Sequence, residues 1–464
     1  MDTPNQITTA VKSASATPQW EDYGRCVHCG LCLNHCPTYR LDGLEADSPR
    51  GRIRQMLLVD EGKMELGDTF VSHIDQCLDC RACETACPSG VEYGRLVEYA
   101  RENIEKNYPR PVLAHLARWL FLRHLLPHPH RIAAAARAVQ FYQRTGLQAL
   151  ARRSGLLHTL GLAERERLLP AIDGHFFFSQ LGKTFPARGK RRARVALFAG
   201  CIAQVTFTTL HEATIRVLTA NGCDVVVPRQ QRCCGALAVH AGVRKTARSL
   251  ARINIEAFLH GKSRGVPGGA YDAIIVNAAG CGSTLKEYAR LADGTLGAPD
   301  WDDQARGAAA SFSAKVRDVT EFLAELGLVA PLQKLPLRVT YQDSCHLLHA
   351  QKVREAPRKL IRAIPGVELV EMPLADYCCG SAGIYNITET ENSMRILDEK
   401  MRYASSTNAA AIITANPGCI LQLRAGVAMH GTGQEVMHVV ELLDRAMNGA
   451  QNGTVNGVTN RDAG

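Results

Sequence analysis

Two runs of four cysteines, CVHCGLCLNHCP at 26–37 and CLDCRACETACP at 77–88, share the pattern C-x2-C-x2-C-x3-C-P. Thiolates at this spacing are iron–sulfur ligands, as in bacterial ferredoxins that carry two [4Fe–4S] cubanes. Three cysteines wrap a tight loop round one cube, and the fourth, before proline, turns away to the other. The expected assignment is therefore crossed. Cys26, Cys29, Cys32 and Cys87 would hold one cluster, and Cys77, Cys80, Cys83 and Cys36 the second. A lone CxxC would suit zinc or a redox dithiol, but two complete runs with both prolines favour the cubane pair. His28 and His35 lie between ligands, where they would tune a cluster through hydrogen bonds rather than ligate it.

Eight later cysteines form a duplicated pattern. One unit runs VALFAGC (195–201), a helix over about 206–220, VVV (225–227), CCG (233–235), a helix, then AIIVNAAGC (273–281). The other runs VTYQDSC (339–345), a helix near 357–364, VELVEM (367–372), CCG (378–380), a helix, then AIITANPGC (411–419). Each is expected to close with a helix, 316–326 and 436–446. Short Val/Ile-rich strands alternating with helices imply a parallel sheet covered by helices. Ligand sites in such sheets gather at the carboxyl ends of strands. Cys201, Cys233, Cys234 and Cys281 should thus converge, and likewise Cys345, Cys378, Cys379 and Cys419, as candidate ligands for a further metal. Four thiolates suffice for one cubane or one tetrahedral zinc; a buried, metal-free cysteine group is the alternative. Cys223 reads as a small core residue, and His346 and His349 as neighbours of the site rather than ligands.

The whole chain must position these groups. Its 464 residues, 46% hydrophobic and 21% charged, are ordinary globular material. The expected class is α+β and multidomain: a helical ferredoxin-like two-[4Fe–4S] domain, a helical linker, and two duplicated α/β domains with parallel sheets. The boundaries read 1–21 (disordered tail), 22–108, 109–192, 193–334, 335–446 and 447–464 (flexible tail). Between the cysteine runs, SPRGR (48–52) leads into a helical pattern with Ile53, Met56, Leu57 and Val59, expected to pack on the cluster core. Residues 93–108 read as a helix ending before Pro109.

Residues 101–195 carry 18 Lys or Arg against 5 Asp or Glu, a net of +13 in a chain whose total is +9. Such a block speaks about partners. Within it, Leu113, Leu116, Trp119, Leu120 and Leu122 form an apolar side, which suits either a membrane surface or, as the simpler expectation, a connecting helix buried against its neighbours. RGKRRAR (188–194) has no nucleic-acid reading motif near it and reads as a solvated linker; no nucleic-acid partner is expected. Residues 1–19 lack a signal peptide's apolar core, and no run of about 18 apolar residues occurs. A cytoplasmic location is the expectation; the basic block could dock peripherally on anionic lipid at the inner face of the cell membrane or equally meet an acidic flavoprotein face.

A lone Cys, then CCG, then Cys resembles the cysteine-rich CCG domain of heterodisulfide reductases, lactate-utilisation proteins, anaerobic glycerol-3-phosphate dehydrogenase and glycolate oxidase. CVHCGLC, CLDCRACETACPSGV, SPRGR, CCGALAVHAG (233–242) and CCGSAGIYN (378–386) are most similar to the glycolate oxidase iron–sulfur subunits. One departure stands out. Where some relatives continue the last cysteine as CxxC, this chain has Cys281-Gly-Ser-Thr284 and Cys419-Ile-Leu-Gln422. The resemblance implies two [4Fe–4S] clusters, a further iron–sulfur or zinc centre in the CCG units, and no catalytic residue on this chain. FAD would sit on partner subunits that oxidise glycolate to glyoxylate, and electrons would pass toward a quinone or another acceptor. No G-x-G-x-x-G opens a βαβ unit here and no P-loop is present, in keeping with an electron wire. A heterodisulfide-reductase-like catalytic subunit, or the iron–sulfur subunit of a lactate or glycerol-3-phosphate dehydrogenase, are the alternatives.

Overall fold

The computed structural model describes residues 18–163, 166, 169–172, 174–261, 271–292 and 301–448. Most of both expected tails lies outside these residues, but a helix already spans Trp20–Gly24 and another runs on to Asn448.

The two ferredoxin-type loops repeat one backbone. His28 and Asp79 have φ of 55° and 52°, and Gly30 and Arg81 follow at 83° and 62°. Non-glycine residues held left-handed cost about 1–3 kcal/mol each and mark sites where loop shape matters. Helices Pro49–Asp60, Asp68–Asp75 and Tyr93–Asn107 surround the loops and bury Ile53, Met56, Phe70, Ile74, Leu96 and Ile104 in one core.

Each letter of SPRGR has a task there. Ser48 caps the helix by accepting from the Gly51 amide at 3.0 Å, and Pro49 fills the first turn, where no amide donor is needed. A Cβ at Gly51 would overlap the Glu45 carbonyl. Arg50 donates to the His28 carbonyl at 2.8 Å, and Arg52, fully buried, donates to Thr38 Oγ1 at 3.0 Å beside Cys36. The insert thus clamps the first loop and supports the second thiol set, as its packing on the cluster core requires.

The duplicated units form two sheets. In the first, β1 (Thr184–Phe185), β2 (Ala193–Phe198), β3 (Cys223–Val226), β4 (Ala273–Val276) and β5 (Val316–Asp318) run in the order β1-β3-β2-β4-β5. The second has β6 (Leu337–Tyr341), β7 (Val367–Glu371), β8 (Ala411–Thr414) and β9 (Glu435–His438) in the order β7-β6-β8-β9. All pairs are parallel except β1 with β3. Cys223 is wholly buried in β3, as its reading as a core residue requires.

The closing segments correct the sequence reading. Residues 316–318 and 435–438 are edge strands, and the helices begin only at Val319 and Val439. Sheet pairing, Ile274–Val276 against 316–318 and 411–414 against 435–438, overrides the helical periodicity. The residue at each strand–helix junction caps the helix: Asp318 Oδ1 accepts from Thr320 N at 2.8 Å, and His438 Nδ1 accepts from Val440 N at 3.1 Å. The two units also share one core, in which Val195, Leu197 and Val319 pack in the same cluster as Val339, Tyr341 and Val439.

Two buried histidines in this shared region make a pH prediction. Burial pushes His211 down to about 3 and His438 down to about 4. Below the unfolded value of about 6.5 the unfolded chain takes up protons that the folded chain refuses, so stability is full above that value and falls toward acid. At about pH 5 each neutral histidine accounts for a loss of about 2 kcal/mol. His438→Asn keeps a capping acceptor without a titrating ring. In urea unfolding it should lose less stability than the wild type between neutral and acid pH; an equal loss would refute the assignment.

Candidate metal centres

Cys36, Cys77, Cys80 and Cys83 line one small cavity together with Arg52 and Tyr93. The thiol of Cys36, from the first motif, thus lies with three from the second. Tyr93 donates its hydroxyl to Cys77 Sγ at 3.4 Å, and the Asp79 amide does so at 3.3 Å. Arg52 Nη1 stands 4.0 Å from Cys36 Sγ. Burial, with neighbouring thiols adding to it, pushes the Cys80 and Cys83 thiols well up. Four buried thiols facing one space, with a buried guanidinium alongside, fit a metal that would hold them as thiolates.

The other set lies nearer the surface. Cys29 is exposed, and Cys26, Cys32 and Cys87 are half-buried. Burial first, and Cys26 second, push the Cys32 thiol up to about 11. The Val91 amide reaches Cys87 Sγ at 3.5 Å.

In the duplicated units every candidate ligand cysteine lies beyond the carboxyl end of a strand. Cys201 follows β2, the CC pairs follow β3 and β7, and Cys281 and Cys419 lie in the first turn of the helices after β4 and β8. Cys234 and Cys281 are 3.2 Å apart between sulfurs. Cys201 and Cys234 both hydrogen-bond to Cys233, and those bonds hold Cys233 well below the ordinary thiol range. Cys345 and Cys379 do the same to Cys378. The same electrostatic pattern therefore recurs in both units: one acceptor thiol between two donors, with Cys201, Cys234, Cys345 and Cys379 pushed up. The glycine of CCG is required by the turn. Gly235 and Gly380 have φ of 86° and 91°, and a Cβ there would press on Ala247 or on the Ser393 carbonyl.

The fifth thiol position is occupied by other chemistry. Thr284 bonds the Gly280 carbonyl, and the wholly buried Gln422 donates to Ser393 Oγ at 2.9 Å and accepts from Asn386. Each unit therefore offers four thiols, a donor set that fits one cubane or zinc.

The two quartets open onto one space. All eight cysteines line a single cavity of about 510 Å³, where two sites were expected from the sequence. The shared core turns the carboxyl ends of both sheets toward each other; Asn416 of one unit accepts from the Gly280 amide of the other at 3.4 Å. Phe121, Leu125, Ile132, Ala136 and Val139 of the basic linker form an apolar part of the wall. The ferredoxin-type loop touches the same place, because Cys80 and Leu78 pack in one cluster with Cys378 and Cys345.

Sequence reasoning missed what bolts these parts together. Arg81, buried between Cys80 and Ala82, bonds Asp79 Oδ1 at 2.8 Å and Glu98 Oε1 at 2.5 Å, and stands 3.5 Å from Glu287 of the first duplicated unit. His240 bonds Asp79 at 2.8 Å, and Arg244 bonds Glu98 at 3.0 Å. The ligand atoms of Asp79, Glu98 and His240 lie within 4.8 Å of one another, but Arg81 spans the two carboxylates and makes this an ion-pair network. His346 and His349 also serve the joint, bonding the Asp79 carbonyl at 2.9 Å and Thr85 Oγ1 at 3.0 Å. The one signal in the sequence was Arg81 itself, a charge placed inside a ligand loop.

Comparison with known proteins accords with this layout. Residues 22–91 match the 4Fe-4S dicluster domain, 114–169 the glycolate oxidase iron-sulfur subunit linker region, and 195–286 and 339–424 the cysteine-rich domain. A "Probable glycolate oxidase iron-sulfur subunit" of Bacillus subtilis (strain 168) is 41% identical over 425 residues, covering 90% of this chain and 92% of that protein. The chain belongs to the glycolate oxidase iron–sulfur subunit family. The "Glycolate oxidase iron-sulfur subunit" of Escherichia coli (strain K12) is 32% identical over 430 residues, 91% of this chain and 93% of that one. "Lactate utilization protein A" of Geobacillus sp. (strain WCH70) is 31% identical over 252 residues, 54% of this chain and 99% of its own length. The chain is accordingly an iron–sulfur, electron-transfer subunit of an oxidoreductase complex.

Proposed function

We propose that this chain is the electron-conducting subunit of a glycolate dehydrogenase complex. A partner subunit bearing FAD converts glycolate to glyoxylate, releasing two electrons and two protons, and the electrons leave toward a quinone or another acceptor. Cys26, Cys29, Cys32 and Cys87 hold one [4Fe–4S] cluster, and Cys77, Cys80, Cys83 and Cys36 hold the other. Bound clusters of this type supply one-electron redox chemistry. Arg52, Tyr93 and the Asp79 amide hold thiolate charge at the inner set. Cys201, Cys233, Cys234 and Cys281, and Cys345, Cys378, Cys379 and Cys419, hold further metal. The parts divide as a ferredoxin-type domain (22–108), a basic linker (109–192) and two CCG domains (193–334 and 335–446).

The observation that carries this reading is the packing of Cys80 against Cys378 and Cys345. It joins the inner ferredoxin-type set to the eight-thiol cavity by direct packing, which keeps the path between them short. Metal analysis of anaerobically purified chain tests the ligand count. About eight irons per chain means cubanes in the ferredoxin-type domain alone, and about twelve or more means that the CCG units also carry clusters. The chain alone should not oxidise glycolate; dye-linked activity should appear on co-expression with the flavin subunit. If no flavoprotein co-purifies, the reading fails.

A further inference from the structure

No helix among the described residues is long and apolar enough to cross a membrane, yet the linker carries an apolar stripe that no other described residue buries. The helix Val112–Arg118, continued as a π-helix over Trp119–Leu125, buries no residue in its first two turns. Val112, Leu113, Leu116, Trp119 and Leu120 are 85, 79, 52, 41 and 57% exposed. They stand at i, i+1, i+4, i+7 and i+8, one side of a helix. The expectation of a connecting helix buried on this side is therefore wrong; only Leu122 of the expected apolar set is buried.

The charge around the stripe indicates what covers it. From Lys106 to Ala163 the chain has nine Lys or Arg and no Asp or Glu. Arg118 and Arg123 share a single carboxylate, Glu105, so that pairing leaves a net positive charge beside the stripe. Aliphatic side chains with a Trp among them, set where cations outnumber anions, match the interface of an anionic bilayer. We propose that Val112–Leu120 lies in the headgroup region of an anionic phospholipid membrane and docks the subunit there.

The next turns of the same segment, through Phe121 and Leu125, wall the eight-thiol cavity. Docking would bring that apolar wall to the bilayer, where a lipid-soluble quinone resides; this consequence rests on the proposed function, but the docking does not.

The test is sedimentation of the full chain with vesicles of phosphatidylcholine, with and without one-third phosphatidylglycerol. The chain should bind the anionic vesicles, and a tenfold rise in salt should weaken binding, because screening acts on exposed charge. Leu113→Asp with Leu116→Asp should cut binding at least about tenfold while leaving circular dichroism and iron content unchanged, since both side chains already face solvent. Arg123→Glu, a milder change, should weaken binding less. Trp119 emission should shift to the blue with anionic vesicles, and Trp119→Phe should abolish the shift. Absence of wild-type binding, equal binding to neutral vesicles, or an unaffected double variant would each overturn the proposal. So would a double variant that binds vesicles normally but loses its flavin subunit, since the stripe would then be a protein interface. Docking that survives while co-expression with the flavin subunit yields no dye-linked glycolate oxidation would refute the function and leave the docking intact.

Discussion

Replacing Arg81 with methionine is expected to lower the stability of the chain by about 3–5 kcal/mol, the cost of leaving partners of a buried ion pair uncompensated. The guanidinium is 4% exposed and serves Asp79 and Glu98, which are themselves buried. Its removal strands both carboxylates, although Arg244 and His240 retain one bond to each. The loss should concentrate at the joint between the ferredoxin-type loop and the first CCG unit, because Glu98 and Asp79 meet Arg244 and His240 there. Urea unfolding and limited proteolysis would read this, with cleavage appearing first near that joint. Arg81→Lys should recover part of the stability, since an ammonium keeps the charge but loses the planar fork that serves two carboxylates at once. A methionine variant within about 1 kcal/mol of wild type would show that the network contributes no net stability.

The second large effect concerns cluster assignment. Cys36→Ala should remove the cluster expected on the Cys77, Cys80 and Cys83 loop, some forty residues away in sequence, and leave the one on its own loop. Iron should fall by about four per chain. The electron paramagnetic resonance spectrum of the reduced variant should match that of Cys80→Ala and differ from that of Cys29→Ala. Cys87→Ala should show the converse. The cavity shared by Cys36 with Cys77, Cys80 and Cys83 is the structural ground for the first expectation. A Cys36 variant whose spectrum matches Cys29→Ala would reverse the assignment.

Much of the site was legible in the sequence, because metal ligation demands particular residue types at particular spacings. The twin C-x2-C-x2-C-x3-C-P runs repeat in the structure down to their left-handed positions, His28 with Gly30 and Asp79 with Arg81. Strand ends placed Cys201, the CC pairs, Cys281, Cys345 and Cys419 correctly, since alternating strands and helices leave few topologies open. The misreadings share a cause. Residues 316–318 and 435–438 have helical periodicity, but an open sheet edge offered hydrogen bonds that local pattern does not encode. The apolar side of 112–120 looked like core, yet periodicity reports only that a side is apolar, never what covers it.

The sequence by itself determined the ligand chemistry of this protein: sixteen thiols in a ferredoxin-type pair and a duplicated C…CCG…C unit. Only the tertiary structure decided that the two CCG quartets face one cavity, that Cys80 abuts Cys378, and that Arg81 locks the joint. Ligand spacing is a property of a short loop and is written locally. Convergence of loops more than a hundred residues apart depends on how two sheets share a core, and that is set by the packing of side chains such as Val195 and Val339 from both units at once.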